Sequence, residues 1–323
     1  MTGEVWALSD GAAGNRRQAL ALANALAAAA GLGPVWEWRL RVRAPWRWLA
    51  PRRCPGVWTG LGPEFARAAL RPPAVVVGCG RQAALATRLL RERGCRAVQV
   101  LDPRLSPSAW DVLVVPEHDR VRGDNVVTCT GGLHEIDDAW LSAGARAFPL
   151  LASDPQPRTL LLLGGPIRGI DLGPRWWRTV ADTLGDWQAR DGGTLWLCGS
   201  RRTPARLAQA ARSTLAGSGV RCWFSERDGD NPYAGFLANA DRIVVSPDSI
   251  NLVTEACATR VPVYIAFGAE PRVADRGRHG RFLRSLIERG RVRPLRVSAP
   301  GWSIEPIRDL PAVVAQVRAL LGL

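Results

Sequence analysis

IVVSPDSINLVTEACATRVPVYI, residues 243–265, reads as a buried strand, a polar turn, a helix and a second buried strand. Ile243 to Val245 and Val263 to Ile265 are the strands. Between them Ser246-Pro247-Asp248-Ser249 forms the turn, with Pro247 to pre-set it and Ser249 or Asp248 to cap the helix. Glu255 falls on the second turn of that helix. In an open α/β sheet, ligands bind beyond the carboxyl ends of strands, where helix N-termini offer unpaired N–H groups to anions. The turn therefore suits a nucleotide phosphate, and Glu255 suits ribose hydroxyls. An ordinary capped strand–helix–strand unit with a surface glutamate fits the same letters.

Outward from this stretch, strand and helix signals alternate along the chain. Val5 to Leu8 is an apolar strand, followed by the turn SDGAAGN and an alanine-leucine helix from Arg16 to Ala30. Strands follow at Val75 to Val77, Val98 to Leu101 and Val112 to Val115, with a helix from Gln82 to Arg93. FPLLASDPQPR, with three prolines, breaks the pattern and is the linker. The cycle then restarts, with strands at Thr159 to Leu163, Thr194 to Cys198 and Arg221 to Phe224. Helices are expected at Trp176 to Arg190 and Ala205 to Leu215. This rhythm predicts an α/β chain of two Rossmann-like, doubly wound domains facing a cleft. Residues 1–150 form the N-terminal domain, 158–300 the C-terminal domain, and 301–323 a final helix that packs back on the first.

Composition narrows the chemistry by exclusion. A chain of 323 residues is long enough for two cores. No apolar run approaches the ~18 residues of a membrane span, and the N-terminus lacks a signal-peptide progression. Seven scattered cysteines without a CxxC pair point to a reducing cytosol, without disulfides or structural zinc. All 43 basic residues are arginine, so the net charge of +14 reads as codon composition more than as a partner. The absence of lysine excludes a Schiff-base lysine, a P-loop lysine and a serine–lysine dyad. Acidic ligands are favoured, but without zinc-finger spacing or an aromatic RNP strand no nucleic acid is expected.

Further turns at strand ends carry candidate chemistry. Gly164-Gly165 lets backbone approach a ligand. Ser200, Arg201 and Arg202 put a hydroxyl and guanidinium forks beside a helix start, suited to a diphosphate. Asn231 and Tyr233 offer an amide and a ring to a base or sugar, and Ser246, Asp248 and Ser249 complete the donor set. Each also fits a plain role in a tight turn, a solvated face or packing. In the first half, Asp10, Gly11, Gly14 and Asn15 form a loop that lacks the full GxGxxG spacing, and Gly80-Arg81 repeats its layout. Asp10 is a candidate general base toward an acceptor hydroxyl, or a cap of its turn. His118, next to Asp119, is a second candidate base, or a structural histidine. His134 and His279 do not share metal-ligand spacing with it, so no metal is expected.

Trp36 to Trp58, WEWRLRVRAPWRWLAPRRCPGVW, interleaves five tryptophans with arginines. Indoles rest at the headgroup level and arginines meet anionic lipid, so the segment suits a membrane surface. A half-buried strand followed by a proline-broken loop is the alternative.

VWALSDGAAGNRRQALALANAL, VGCGRQ, QVLDPR, VVPEHDR, GDNVV, TGGLHEI, LLLGGP, CGSRRTP and DNPYAGFLANADRIVVSPDSINLVTEACATRVPVYI occur in this order. Together they resemble the mitochondrial-fission "elongated mitochondria" family and its bacterial relatives over nearly the whole chain. The resemblance implies a GT-B glycosyltransferase-like protein with its donor site in the C-terminal domain. SPDSINLVTEA is similar to the donor-site segment of the enzyme that adds N-acetylglucosamine to lipid I. By that similarity Glu255 takes the ribose of a uridine nucleotide, with Ser249 and Gly164-Gly165 near the phosphates. The loop SDGAAGN lacks the GGTGGH spelling and histidine of that enzyme. The resulting expectation is a metal-independent glycosyltransferase without a cofactor. It would use a nucleotide-diphosphate sugar, UDP-linked, on a lipid or cell-envelope acceptor, in the cytoplasm or peripheral at the inner membrane. A non-catalytic membrane adaptor or scaffold and a GT-B-type nucleotide-sugar epimerase are the alternatives.

Overall fold

The computed structural model describes residues 2–215, 220–268, 277–298, 301–302 and 304–323. The chain divides into two compact units, Met1–Glu135 with Asp309–Leu323, and Ile136–Arg308.

The first unit is built on one parallel sheet. Its elements run β1 (Thr2–Ser9), α1 (Ala13–Ala30), β2 (Val35–Arg39) and three short helices, α2 (Trp46–Leu49), α3 (Val57–Leu61) and α4 (Pro63–Ala68). There follow β3 (Pro73–Cys79), α5 (Arg81–Arg91), β4 (Arg96–Val100), β5 (Val112–Pro116) and β6 (Val126–Cys129). Strand side chains alternate between two cores, as period 2 requires. Val5, Ala7, Val75 and Val77 pack with Leu22 and Leu26 of α1, whereas Trp6, Leu8 and Val76 pack with Leu85 and Leu89 of α5. Both faces are covered, which is why these strands read as unbroken apolar runs.

The second unit repeats the plan. It contains α6 (Asp138–Ala147), β7 (Arg158–Leu163), α7 (Pro174–Asp191), β8 (Thr194–Gly199), α8 (Ala205–Thr214) and β9 (Val220–Trp223). The second run is α9 (Tyr233–Asn239), β10 (Arg242–Val245), α10 (Ile250–Ala256), β11 (Val263–Ile265), α11 (Gly277–Glu288) and β12 (Arg293–Pro294). Leu160, Leu162, Ile243 and Val245 face one core with Val253 and Phe282, and Leu161, Leu163 and Val244 face the other with Trp176 and Leu184 of α7.

Strand order positions the candidate sites. The first sheet runs β2-β1-β3-β4-β5-β6 and the second β12-β11-β10-β7-β8-β9, every pair parallel. The direction of winding reverses between β1 and β3, and again between β7 and β10. Loops leaving the two strands at such a reversal turn to opposite faces and leave a crevice at the carboxyl end. Asp10 and Gly80 stand at the first crevice, Gly164 and Ser246 at the second.

Two expected boundaries shift. The last helix, α12 (Leu310–Leu321), begins after Asp309 and so occupies only the later part of the expected 301–323. Pro306 lacks an N–H and biases Glu305 away from the helical region, whereas Pro311 is tolerated in the first turn. Through Val313, Val314 and Val317, α12 joins the core that contains α1. The helix α6, which precedes the proline-rich segment, belongs to the second unit and packs against α9. A Cβ on Gly144 would lie 2.7 Å from the Ala234 backbone.

Candidate functional site

Three strand-end turns of the second unit converge on one carboxylate. Asp248 is buried and accepts three hydrogen bonds: from the Ser246 hydroxyl at 2.6 Å, from the Gly165 N–H at 2.9 Å and from Arg202 Nη2 at 2.7 Å. The Ser246 hydroxyl in turn accepts from the Gly164 N–H at 2.8 Å. Thr203 tightens the knot: its hydroxyl accepts from the Ser200 N–H at 2.8 Å and lies 2.7 and 2.8 Å from the carbonyls of Leu163 and Gly164. A carboxylate this deep persists only when its oxygens are satisfied. Asp248 is therefore engaged by protein groups, and its role is to hold Arg202. The Arg202 side chain is 48% exposed, and its Nη1 donates to the Gly165 carbonyl at 3.2 Å. With a guanidinium's five N–H donors, further donors remain for a ligand.

Gly164 and Gly165 are explained by the same knot. A Cβ on Gly164 would sit 2.1 Å from Asp248 Oδ2, and one on Gly165 would sit 2.1 Å from the Arg202 carbonyl oxygen. The close approach that the sequence suggested for a ligand is made by the protein's own atoms.

The remaining donor-side residues are placed as follows. Ser249 caps α10, its hydroxyl accepting from the Leu252 N–H at 3.3 Å. Ser200 Oγ accepts from the Arg202 N–H at 3.2 Å, and Arg201 is exposed. Asn231 is exposed, and its side-chain oxygen accepts from the Tyr233 N–H at 3.0 Å. Glu255 is buried within α10, and the Tyr233 hydroxyl donates to its Oε2 at 2.5 Å. One residue was missed. His279 lies half-buried in the first turn of α11, where burial holds its pKa below the ordinary histidine value while Asp248 acts to raise it. Its signal in the sequence is the placement of RHGRF at a helix start after a strand. Burial removes thiol chemistry here, since Cys198 and Cys257 are each pushed up to about 12.

In the first unit the loop after β1 and the turn after β3 meet. Asp10 Oδ1 accepts from the Ala12 N–H at 3.0 Å and from Asn15 Nδ2 at 3.1 Å, which caps the loop. Gly80 has φ +92°, and a Cβ there would lie 2.5 Å from Asn15 Nδ2 and 3.5 Å from Asp10 Oδ2. Gly11 has φ +82° and abuts Arg39. Gly14, in the first turn of α1, accepts from Gln18 Nε2 at 3.4 Å, and Arg81, exposed at the start of α5, donates to the Arg47 carbonyl at 3.3 Å. His118 is not brought to this crevice. It is buried on a single helical turn after β5, two strands from β3, with Nε2 at 3.8 Å from Asp119 Oδ1.

The tryptophan–arginine segment divides. Trp38, Trp46 and Trp58 pack on the first unit's core, with the Arg93 guanidinium 3.8 Å from the Trp58 ring centroid. Trp36, Trp48 and Leu49 are exposed, and Arg47, Arg52 and Arg53 surround the last two in sequence. No described helix is long and apolar enough to cross a membrane, and among the described residues no group of three or more His, Cys, Asp or Glu side chains is placed to hold a metal ion.

Two six-stranded parallel Rossmann-like units, each with its switch-point crevice, define a GT-B-like protein. The chain belongs to the family described as Mitochondrial fission ELM1, whose model matches residues 13–321. It is 29% identical over 283 residues to the mitochondrial fission protein ELM1 of Arabidopsis thaliana, covering 77% of this chain but only 64% of that protein's length. An uncharacterized protein of Rickettsia prowazekii (strain Madrid E) is 21% identical over 287 residues, covering 77% of this chain and 80% of that one. Among solved structures, the UDP-GlcNAc 2-epimerase of Methanocaldococcus jannaschii matches with TM-score 0.60 at 14% identity, over 99% of this chain and 100% of that chain. The Neisseria meningitidis enzyme, bound to UDP-GlcNAc, matches with TM-score 0.53 at 11% identity, over the same shares. At these identities the likeness is one of fold.

The Asp248 knot makes a direct prediction. Gly164→Ala forces Asp248 to move, and overpacking of this kind costs about 1–3 kcal/mol or more. Thermal unfolding followed by circular dichroism is expected to show a clear loss of Tm; a Tm equal to wild type would contradict the close approach.

Proposed function

We propose that the crevice between β7 and β10 binds a nucleotide-diphosphate sugar, UDP-linked, and that the chain is a GT-B-type glycosyltransferase acting on a lipid or cell-envelope acceptor. The observation that carries this reading is Arg202, held at one edge by buried Asp248 and half open to solvent at a switch-point crevice. A guanidinium pre-positioned in this way meets a diphosphate without having to be ordered on binding. Arg201 adds charge at the same turn. Together the two arginines would stabilise the departing diphosphate in the role a metal plays elsewhere. Glu255, braced by Tyr233, faces the ribose hydroxyls. On the acceptor side the base is Asp10, whose Oδ1 is engaged by the loop while Oδ2 lies beside Gly80. His118 is left out because of its burial.

Calorimetry with UDP-GlcNAc tests the donor site. Glu255→Ala is expected to weaken binding about tenfold or more, the cost of a lost hydrogen bond to a charged group. Equal affinity would remove Glu255 from the site, and no binding by wild type would overturn the reading. Release of an altered nucleotide sugar without any acceptor would instead identify an epimerase. Partner capture that survives joint substitution of Glu255, Arg201 and Asp10 would identify an adaptor.

We further propose that Trp48 and Leu49, with Arg47, Arg52 and Arg53, rest the first unit on an anionic membrane surface. The chain is expected to cosediment with phosphatidylglycerol vesicles and to do so several-fold less after Trp48→Ser with Leu49→Ser. Equal cosedimentation of the variant would contradict this contact.

A further inference from the structure

Residues 47–53 run along α5 and reach a cleft at its carboxyl end. The Arg47 carbonyl accepts from Arg81 Nη2 at 3.3 Å, the Pro51 carbonyl accepts from Arg88 Nη1 at 2.8 Å, and Arg53 pairs with Glu92 at 2.7 Å. The cleft, of about 490 Å³, lies between the end of α5 and the start of β4, and its charged lining is Arg88, Arg91, Arg96, Glu92 and Asp111. Charge pairing there is incomplete. Arg91 Nε is matched to Asp111 Oδ1 at 2.8 Å, and Glu92 is matched to Arg53. Arg88 and Arg96, both half-buried, form no ion pair among the described residues. Burial, and after it the charge of Arg53, holds the Arg88 pKa below the ordinary arginine value, with Glu92 opposing. Arginines in the last turn of a helix also complement its carbonyl end. That accounts for Arg88 and Arg91, but not for Arg96 on β4 or for the open cleft.

A guanidinium fork meets phosphate oxygens bidentately, and two such forks without carboxylates of their own match a dianion. A phosphomonoester carries that charge, whereas a phosphodiester carries half of it. The neighbouring surface indicates where the phosphate comes from. Trp48 and Leu49 are exposed just before Pro51, on the segment that Arg88 holds. An indole rests at the headgroup level of a bilayer, which would bring lipid phosphates to the cleft. We propose that this cleft binds the phosphomonoester headgroup of an anionic lipid, clasped by Arg88 and Arg96, while Trp48 and Leu49 enter the interface beside it. This rests on the proposed membrane contact and gives that contact a headgroup specificity.

The test is cosedimentation, at about pH 8 where the phosphomonoester is dianionic, with phosphatidylcholine vesicles of equal negative charge supplied by phosphatidic acid or by phosphatidylglycerol. Wild type is expected to bind the phosphatidic acid vesicles about tenfold more tightly. Arg88→Gln with Arg96→Gln is expected to bind both kinds alike. Arg96→Gln alone, which breaks no ion pair among the described residues, is expected to lose part of the preference. Calorimetry with glycerol 3-phosphate separates lipid from free ligand: the headgroup alone is expected to bind wild type weakly, and the double variant more weakly still. Equal binding of wild type to both vesicles would overturn the headgroup cleft and leave the membrane contact standing. A preference for phosphatidic acid that survives in both arginine variants would also overturn the cleft. Wild type that ignores both vesicles would overturn the lipid source and the membrane contact together. Glycerol 3-phosphate binding lost in the double variant would then make the ligand a free phosphomonoester.

Discussion

A single buried carboxylate holds the working end of the second unit together. Asp248 takes hydrogen bonds from the turn after β7, from the turn after β8 and from its own turn after β10. These are the loops that a switch of strand order separates onto opposite faces. Left alone, such a crevice would expose backbone N–H groups and depend on a ligand to order it. With Asp248 in place, the Gly164-Gly165 turn is satisfied internally and Arg202 is aimed before anything binds. Preorganisation of this kind shifts the ordering cost from binding to folding.

The first unit meets the same geometric problem with weaker means. Its crevice between β1 and β3 is ordered by Asp10 and Asn15, which bond to each other across the start of α1. Gly80, at positive φ, lets the turn after β3 close against Asn15. No arginine is gripped there by a buried acid among the described residues. This contrast favours the second unit as the place proposed for an anionic ligand.

Much of the fold was legible because parallel strands covered on both faces are continuous apolar runs. Val75 to Val77, Val112 to Val115 and Ile243 to Val245 could be read directly as strands for that reason. β12, only two residues long, and the short helices α2 to α4 have too little pattern to be read. At the site, residue types were legible and their partners were not. Gly164-Gly165 was recognised as a close approach, but only the folded chain shows that Asp248 and Arg202 make it. Asp248 reads in the sequence as one more polar residue of the turn, yet its carboxylate faces inward. His118, adjacent to an acid and at a strand end, had the letters of a base, but the sheet order sets it apart from the crevice and the core closes over it.

The most direct measurement of the central claim is the crystal structure of the chain with UDP-GlcNAc. The account predicts the diphosphate at the carboxyl ends of β7 and β10, within hydrogen-bonding distance of Arg202, with the ribose toward Glu255. A nucleotide seated over β1 and β3 instead, or bound with Arg202 still turned away from its phosphates, would contradict it.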